Sequence, residues 1–421
     1  MSTARRRAKH REPQELMSSD ISDDDAHRRP APAPARKESS IKKILVRTGM
    51  GCCMTAYYLS MLRGGHMYCI LTAVVTQAEL FRELVNVRYR RAQEKSMPLF
   101  RTIQWSWFNL AMIYIYGDSF HRFCSENKLL VHLTDITQYL DVAVFGLYCV
   151  LFMITVLTLK QGLMKFQLSQ LMWTFATICL VVGQCKFLAN CVLQGMIWFF
   201  FPMATVVMND VSAYFCGITM GRKFIKAPFL AISPNKTWEG FIGAGLLTMV
   251  FSFFFPVLLS QYSWLICPAE ELSFIPPAVA ELSCEVNPVF LPKEYSLPSS
   301  VFGEDATVSL LPIQLHGLMY GLFASIVAPF GGFMASAIKR AYGIKDFESF
   351  FPGHGGMMDR MDCQLLMLCF TWVHVFTFIV PRVPTVKSLL TSASMLPVED
   401  QQELYQQLGE QIQALAVGHG N

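Results

Sequence analysis

Long apolar runs recur along most of this 421-residue chain. A run of about 20 apolar residues is what an α-helix needs to cross the hydrocarbon core of a bilayer. The strands of a membrane β-barrel would instead alternate over about ten residues, and these runs do not alternate. The chain is therefore predicted to be all-α, a polytopic bundle of transmembrane helices. The runs give about nine spans, at about 44–62, 67–82, 103–120, 139–159, 168–187, 190–208, 239–260, 312–335 and 363–380.

The distribution of charge supports a membrane protein. Charged residues make up 16% of the sequence, against about 25% in a soluble protein. Nineteen of the 66 charged residues precede Thr48, so the rest of the chain is poorer still. A hydrophobic fraction of 53% excludes a disordered chain, and 13 cysteines are too few for a disulfide scaffold. The net charge of +4, without a basic stripe, gives no support to nucleic-acid binding.

The two ends of the chain differ from its apolar middle. Residues 1–40 alternate basic and acidic clusters around a Pro-Ala repeat, so they are predicted to form a disordered cytosolic segment. Residues 41–382 are predicted to form the polytopic membrane domain. Residues 383–421 are predicted to form a polar, partly helical tail.

Lysine and arginine are concentrated in the connections that fall on one side of the predicted bundle. These connections are the segment before Ile44 and residues 82–101, 160–165, 221–236 and 339–345. Because positively charged loops face the cytosol, all of them are predicted to be cytosolic. The sequon at Asn235 falls in one of them and is therefore predicted to carry no glycan.

The long connection 262–311 falls on the opposite side of the membrane. It carries few cations and two cysteines, Cys267 and Cys284. In an oxidising compartment the two could form a disulfide, and otherwise they remain free thiols. The sequence leaves both states open.

Two segments are too polar to be ordinary connections between spans. The first, residues 209–240, follows the sixth apolar run. Its Asp210 lies near hydrocarbon, where a carboxylate is costly and is therefore a functional candidate. Glu239 is either a second such residue or an acid favoured at a helix N-terminus. The cations of this segment either anchor the helices to anionic lipid or bind a phosphate-rich substrate; they include Lys223, Lys226 and Lys236.

The second polar segment, residues 336–362, carries cations and acids together. Ser336, Lys339 and Arg340 have the spacing that places side chains on one face of a helix. A glycine-rich loop follows at residues 352–356, and its backbone can approach a ligand closely. At its end, Gly355 and Gly356 offer backbone N–H groups to an anion at a helix N-terminus.

Three aspartates accompany this glycine-rich loop. Asp359 and Asp362 are one helical turn apart at the start of the last span, and Asp346 lies upstream of the loop. Carboxylates are the hard ligands that Mg²⁺ prefers, while Lys and Arg neutralise phosphate oxygens. Anchoring to lipid needs no acids, so the segment predicts a site for Mg²⁺ and phosphate. His354 is either a general acid or base, or a loop histidine that only hydrogen-bonds to backbone.

The two segments also resemble the signature of a known family. The strings S-x-x-K-R-x-x-x-x-K-D from Ser336 and P-G-H-G-G-x-x-D-R-x-D from Pro352 are similar to those of CDP-diacylglycerol synthases, also called phosphatidate cytidylyltransferases. The strings N-D-x-x-A-Y-x-x-G from Asn209 and S-P-x-K-T-W-E-G from Ser233 match the same family. The resemblance runs from about the second span to the last, and the connection 262–311 is similar to the eukaryotic branch.

This resemblance implies an activity and a setting. The family transfers the CMP moiety of CTP to phosphatidic acid, which releases pyrophosphate and forms CDP-diacylglycerol, a precursor of phosphatidylinositol and cardiolipin. The resemblance implies Mg²⁺ as cofactor, with K⁺ also used by some members. It further implies a homodimer in the endoplasmic reticulum membrane, with the active site of the membrane domain facing the cytosol.

The resemblance also implies roles for individual residues. Asp346, Asp359 and Asp362 are expected to ligate Mg²⁺ and, together with Lys345, to be catalytic. The residues expected to bind the substrates are Ser336, Lys339, Arg340, His354, Gly355, Gly356, Arg360, Arg222 and Lys236.

Two other functions are compatible with parts of the sequence. A polytopic transporter or channel would also have many spans and acids near hydrocarbon, although the chain shows no internal repeat and both polar segments lie at one face. A CTP-dependent polyprenol kinase would share the Mg²⁺ site but form another product. Covalent catalysis by Ser or Cys has no support, because the sequence contains no G-x-S-x-G elbow or other nucleophile motif.

Overall fold

The computed structural model describes the chain from residue 40 onwards, with gaps. The described residues are 40–88, 97, 99–126, 130–184, 188–227, 229–230, 233, 236–269, 274, 284–296, 307–380, 386–394 and 396–418. The predicted disordered segment 1–40 therefore lies outside them except for its last residue, and so does Asn235. The chain divides into two compact units, 1–46 and 47–421. Only the beginning of the first helix is described in the first unit.

Helices form almost all of the described secondary structure, as the sequence predicts. They are α1 (Ser40–Gly64), α2 (His66–Val87), α3 (Phe100–Glu126), α4 (Thr134–Thr137), α5 (Leu140–Leu157), α6 (Met164–Ile178), α7 (Leu188–Leu193), α8 (Ile197–Met220), α9 (Trp238–Leu259), α10 (Ser263–Ile266), α11 (Pro312–Ile326), α12 (Pro329–Ala341), α13 (Met358–His374), α14 (Val386–Ser394) and α15 (Val398–Gly418). Both α6 and α13 continue as π-helical turns, at Cys179–Gly183 and Val375–Ile379.

One small hairpin departs from the all-α prediction. Strand β1 (Lys293–Ser296) pairs antiparallel with β2 (Thr307–Leu310) in the connection between α10 and α11. Strands of four residues in a polar connection leave no apolar run, so no pattern in the sequence predicts them. A disulfide joins Cys267 to Cys284 in the same connection. Of the two cysteine states left open by the sequence, the structure has the bridged one.

Six helical segments among the described residues are long and apolar enough to cross a membrane. They are Leu140–Leu157, Met164–Leu193, Ile197–Met220, Trp238–Leu259, Pro312–Ala341 and Met358–Ile379. The first three predicted spans fall on α1, α2 and α3, which are helical but are not among these six. For α2 the reason is visible, because three charged residues lie in its second half. A count of nine spans stays a prediction.

The sixth predicted span ends too early in the sequence interpretation. The apolar run predicts a span at 190–208, whereas α8 continues to Met220. Asp210 therefore lies within the helix rather than at its end. The polar residues after position 208 continue the helix because some of them face its neighbours: Asn209 is buried and its Oδ1 accepts a 3.2 Å hydrogen bond from Thr248 Oγ1 on α9.

Small residues let the central helices approach one another closely. Gly317 and Gly321 form a G-x-x-x-G pair on α11 and face Ser252 on α9. A Cβ added at Gly317 would collide with the carbonyl oxygen of Ser252. Such pairs are a common basis of helix packing in membranes, where van der Waals contact replaces the hydrophobic drive. Large buried side chains fill the centre beside them, including Phe201 and Tyr320, whose ring centroids lie 5.3 Å apart.

Candidate active site

Four helix ends meet at one end of the bundle. The C-terminal end of α8 packs against the N-terminal end of α9, where a Cβ on Gly240 would lie 3.3 Å from the Cα of Gly217. The C-terminal end of α12 is joined to the N-terminal end of α13 through a side-chain ion pair described below. Because α8 and α13 also contact each other, the two polar segments predicted from sequence come together here.

Asp359 is the most strongly held acid of this region. Its Oδ1 accepts a 2.6 Å hydrogen bond from Lys339 Nζ. Its Oδ2 accepts from the backbone N–H groups of Gly356 at 3.1 Å and of Phe347 at 3.3 Å. The carboxylate therefore ties α12, the loop after α12 and the start of α13 to one point. Charged hydrogen bonds of this kind are stronger than neutral ones.

Gly355 brings Asp346 towards Asp359. Gly355 has a φ of +83°, in the left-handed region that glycine tolerates. A Cβ at this position would lie 2.9 Å from Asp359 Oδ2 and 3.7 Å from Asp346 Oδ1. The bare glycine thus leaves a small space between two of the three predicted metal ligands.

The third predicted ligand, Asp362, faces a different acid. Its Oδ1 accepts a 2.8 Å hydrogen bond from the N–H of Cys363. Its charge interacts repulsively with that of Asp210 on α8 and attractively with that of Lys339. Asp210 is in turn close to the positive charges of Lys236 and Arg360. Two acids and three cations from both polar segments therefore share one electrostatic cluster.

Two glycines of α12 allow this approach. A Cβ on Gly331 would collide with the carbonyl oxygen of Asp362, and a Cβ on Gly332 would lie 3.4 Å from Asp362 Oδ2. Only a residue without a side chain lets α12 lie against the first turns of α13. The position of Asp362 thus depends on glycine at 331.

The side chains of the predicted cations differ in how many contacts hold them. Lys236 is exposed, and its Nζ lies 5.0 Å from the centroid of the Phe333 ring on α12. Arg340 is exposed at the end of α12 and donates to the carbonyl of Ile344 at 3.4 Å. The other two predicted cations, Lys345 and Arg360, are exposed. Ser336, the predicted substrate-binding hydroxyl, is half-buried.

The loop that carries Arg222 is held by Glu239 and not by one of the aspartates. Glu239 accepts hydrogen bonds from three backbone N–H groups of the loop after α8, those of Arg222 at 3.1 Å, Phe224 at 3.0 Å and Ile225 at 2.7 Å. Arg222 itself has a φ of +60°. Of the two interpretations of Glu239, the acid at a helix N-terminus agrees with its place in the first turn of α9. A functional role for Glu239 stays a prediction.

The glycine-rich loop closes on itself. The backbone N–H of His354 donates to Phe351 O, and the N–H of Phe351 donates to Gly355 O, both at 2.9 Å. The Nδ1 atom of the His354 ring is buried and accepts or donates no hydrogen bond among the described residues. The N–H of Gly356, predicted to face an anion, donates to the protein's own Asp359. In this state that donor is already occupied by an internal carboxylate.

Glu83 is a site residue that the sequence reasoning missed. It lies on α2, is 0% exposed, and accepts hydrogen bonds from the N–H groups of Met357 at 2.7 Å and Met358 at 2.8 Å. These are the first backbone donors of α13. Burial raises the pKa of the Glu83 carboxyl group above its ordinary value, while the two backbone bonds oppose that rise. An acid on another helix therefore caps the helix that carries Asp359 and Asp362.

The same face of α2 also holds the segment that precedes the glycine-rich loop. Arg82 and Asn86 each donate a 3.0 Å hydrogen bond to the carboxylate of Glu348, two residues after Asp346. Arg82 also pairs with Glu79 at 2.9 Å. A signal was present in the sequence, because positions 79, 82, 83 and 86 follow a helical period that continues past the end of the second predicted span.

The oxygen ligands that this site offers to a metal ion are aspartate carboxylates. The described residues contain no group of three or more His, Cys, Asp or Glu side chains arranged to hold one metal ion. The acids form two pairs instead, Asp346 with Asp359 around Gly355 and Asp210 with Asp362 between α8 and α13. Mg²⁺ commonly binds through one or two carboxylates and keeps water and substrate phosphates as its other ligands. Either pair fits that chemistry.

Comparison with known proteins adds an independent result. A sequence profile described as the cytidylyltransferase family matches residues 45–378. The chain is similar to phosphatidate cytidylyltransferase 3 of Arabidopsis thaliana, with 36% identity over 384 residues that cover 89% of this chain and 80% of that protein. It is 36% identical to phosphatidate cytidylyltransferase of Saccharomyces cerevisiae, over 86% and 78% of the two chains. It is 35% identical to phosphatidate cytidylyltransferase 1 of Homo sapiens, over 84% and 76%.

Proposed function

Because the chain belongs to the cytidylyltransferase family, we propose that it transfers the CMP moiety of CTP to phosphatidic acid. It is a multi-pass membrane protein and a nucleotidyltransferase. The observation that carries the proposal is the meeting of both polar segments at one end of the bundle, where acids and cations alternate around Asp359 and Asp210. Such a cluster suits a reaction between two phosphate-bearing substrates.

The proposed reaction needs little covalent catalysis by the protein. A phosphate oxygen of phosphatidic acid attacks the α-phosphorus of CTP, and the bond between that phosphorus and the oxygen bridging to the β-phosphorus breaks. CDP-diacylglycerol forms and pyrophosphate leaves. The nucleophile is already an anion, so catalysis consists of positioning the two substrates and neutralising their charge.

The cations of the site supply that neutralisation. Lys236 and Arg360 lie near Asp210, and Arg340 and Lys345 are exposed at and just after the end of α12. Their side chains can reach phosphate oxygens of both substrates, whereas Lys339 is engaged by Asp359. We assign Arg340, Lys345 and Arg360 to substrate phosphates and Lys339 to fixing the geometry of Asp359.

Mg²⁺ is part of the proposal. Asp346, Asp359, Asp362 and, in addition, Asp210 are the residues that would hold it. When bound, the ion would neutralise negative charge on the phosphate oxygens of the nucleotide. The protein itself keeps the carboxylates in place through Lys339, the backbone of the glycine-rich loop and Gly331.

The proposal also covers the membrane, the oligomeric state and the orientation of the site. We place the protein in the endoplasmic reticulum membrane as a homodimer, with the site facing the cytosol. The orientation rests on the cations at residues 221–236 and 339–345, which flank the site and mark the cytosolic side. CTP would reach the site from the cytosol and phosphatidic acid from the adjoining leaflet.

Two labels on CTP separate this function from its alternatives. The purified protein in lipid nanodiscs is supplied with phosphatidic acid or a polyprenol, together with CTP labelled at its α- or γ-phosphate. Cytidylyl transfer moves the α-label into lipid and needs phosphatidic acid. A polyprenol kinase would move the γ-label and need the polyprenol. A transporter would move neither label into lipid, and that result would overturn the proposal.

A further inference from the structure

The start of α13 is attached to α2 as well as to its own neighbours in sequence. Glu83 on α2 accepts the N–H groups of Met357 and Met358 through its two carboxylate oxygens, one each. Backbone donors at a helix start have no partner within the helix. Since both donors are paired with a side chain that is 0% exposed, water cannot take its place.

The contact is also tightly packed. A Cβ added at Gly356 would lie 2.7 and 2.8 Å from the two carboxylate oxygens of Glu83. The acid therefore sits directly beneath the end of the glycine-rich loop. Asp359 follows Met358 by one residue, so any shift at the capped N–H groups moves Asp359 with it.

A second attachment from the same face of α2 holds the segment that precedes the glycine-rich loop. Arg82 and Asn86 donate to Glu348, which follows Asp346 by two residues. The segments that carry Asp346 and Asp359, one on each side of the glycine-rich loop, are thus both attached to α2. This arrangement explains why a helix within the membrane domain carries so many polar side chains at a helical period.

We propose that Glu83 is a positioning residue for the reaction: its carboxylate, by binding the N–H groups of Met357 and Met358, sets the placement of Asp359 and Asp362. Glu83 touches neither substrate. The inference rests on the proposed function, because it assigns a role within that site. A carboxylate is required because it offers two acceptors and a charge that favours a helix N-terminus.

Glu83→Gln tests the proposal in two ways. The amide keeps the size of the side chain but offers one acceptor oxygen, so one of the two N–H groups loses its partner. Without any substrate, hydrogen exchange at the amides of residues 355–359 is expected to accelerate about tenfold. In the assay, kcat/KM for CTP is expected to fall about 10- to 100-fold, because small misplacements of reacting groups cost that much. The Mg²⁺ concentration for half-maximal rate is expected to rise.

Two further variants make the result decisive. Gln77→Leu removes a different buried polar contact of α2, since Gln77 binds Tyr116 and the carbonyl of Val181. It is expected to leave exchange at residues 355–359, the KM and the Mg²⁺ dependence unchanged. Glu83→Asp keeps two acceptors and the charge on a shorter stem, so it is expected to give smaller changes than Glu83→Gln.

The proposal is overturned if exchange at residues 355–359 is unchanged in Glu83→Gln, or if only the maximal rate falls while the KM and Mg²⁺ dependence stay as in Gln77→Leu. Should Glu83→Gln not fold, unchanged exchange in Glu83→Asp overturns it equally. The exchange measurement needs no turnover. A wild-type protein that forms no CDP-diacylglycerol would therefore defeat the proposed function while leaving the attachment by Glu83 testable.

Discussion

Lys339 Nζ donates a 2.6 Å hydrogen bond to Asp359 Oδ1, and the two side chains are 13% and 5% exposed. The pair joins the end of α12 to the first turn of α13. It thereby links the basic half of the second polar segment to its acidic half. Ion pairs shielded from water are screened little by salt, so each partner fixes the charge and position of the other.

Asp359→Asn is expected to abolish turnover without unfolding the protein. The amide oxygen can still accept from backbone N–H groups, but the charge that pairs with Lys339 and the candidate metal ligand are lost. We expect formation of CDP-diacylglycerol to fall at least about 100-fold, since loss of one stabilising charged group in an active site costs that much. The measurement is transfer of α-labelled CTP, with thermal unfolding in detergent followed in parallel.

Asp141→Asn is the matched control for that change. Asp141 lies on the first turn of α5 and is exposed. Its activity and its unfolding temperature are expected to match the wild type. Near-normal turnover by folded Asp359→Asn would remove Asp359 from the metal site.

Gly331→Ala is expected to damage the site through packing alone. A Cβ at this position would collide with the backbone carbonyl of Asp362, so α12 and α13 must move apart. Overpacking of this kind costs about 1–3 kcal/mol. We expect a lower unfolding temperature together with a loss of activity of tenfold or more, because Asp362 shifts with its helix.

Gly146→Ala provides the comparison for that packing effect. Gly146 lies on α5, and a Cβ there would meet no atom within 4 Å. Alanine is the better helix former by about 1 kcal/mol, so this variant is expected to be neutral or slightly more stable. If both glycine variants behave alike, close approach at Gly331 is not what positions Asp362.

The sequence revealed the helices and the residue types of the site, because both are written in local patterns. Apolar runs predict helices wherever their length suffices, and a cluster such as Lys339, Arg340 and Asp359 stands out against a background poor in charge. Within residues 383–421, the described part forms α14 and α15. These features need no knowledge of which helix packs against which.

The remaining features depend on contacts between residues distant in sequence. Glu83 lies 274 positions before Met357, so no local pattern connects them. In the sequence it lies directly after the second predicted span, at the start of a polar connection where charged residues are expected. The pairing of Asp210 with Asp362 likewise requires α8 and α13 to be neighbours. Sequence spacing identified the acids but could not show which of them face one another.

Removal of divalent metal is expected to stop the reaction. The proposed site relies on carboxylate pairs, Asp346 with Asp359 and Asp210 with Asp362, that repel one another without a cation. Treatment with EDTA should therefore abolish product formation, and added Mg²⁺ should restore it; parallel samples with and without K⁺ measure any further requirement. Full activity after chelation, verified by metal analysis, would contradict the Mg²⁺ assignment.

Asp210→Asn extends this metal prediction to a residue on α8. If Asp210 and Asp362 hold the ion together, the variant should need at least several-fold more Mg²⁺ for half-maximal rate, since one of two charged ligands is lost. The neutral amide leaves Lys236 and Arg360 without their acidic neighbour. An unchanged Mg²⁺ titration would restrict the metal to Asp346 and Asp359.

The Cys267–Cys284 disulfide predicts the orientation of the whole bundle. Disulfides persist in oxidising compartments, so residues 262–311 should face the lumen and the site the cytosol. Cells are lysed in denaturant that contains one maleimide, so that buried free thiols also react. The protein is then reduced, and a second maleimide is added before mass spectrometry. Both cysteines are expected to carry only the second label, whereas Cys363, a free thiol, carries the first.

The sequon at Asn235 gives the complementary measurement from the other side of the membrane. A cytosolic loop receives no glycan, so glycosidase treatment should leave the mobility of the protein unchanged. The first maleimide on Cys267 and Cys284, together with a glycan on Asn235, would place the loop next to Lys236 in the lumen. CTP would then have to be supplied from that compartment, and the cytosolic active site would be wrong even if every aspartate prediction held.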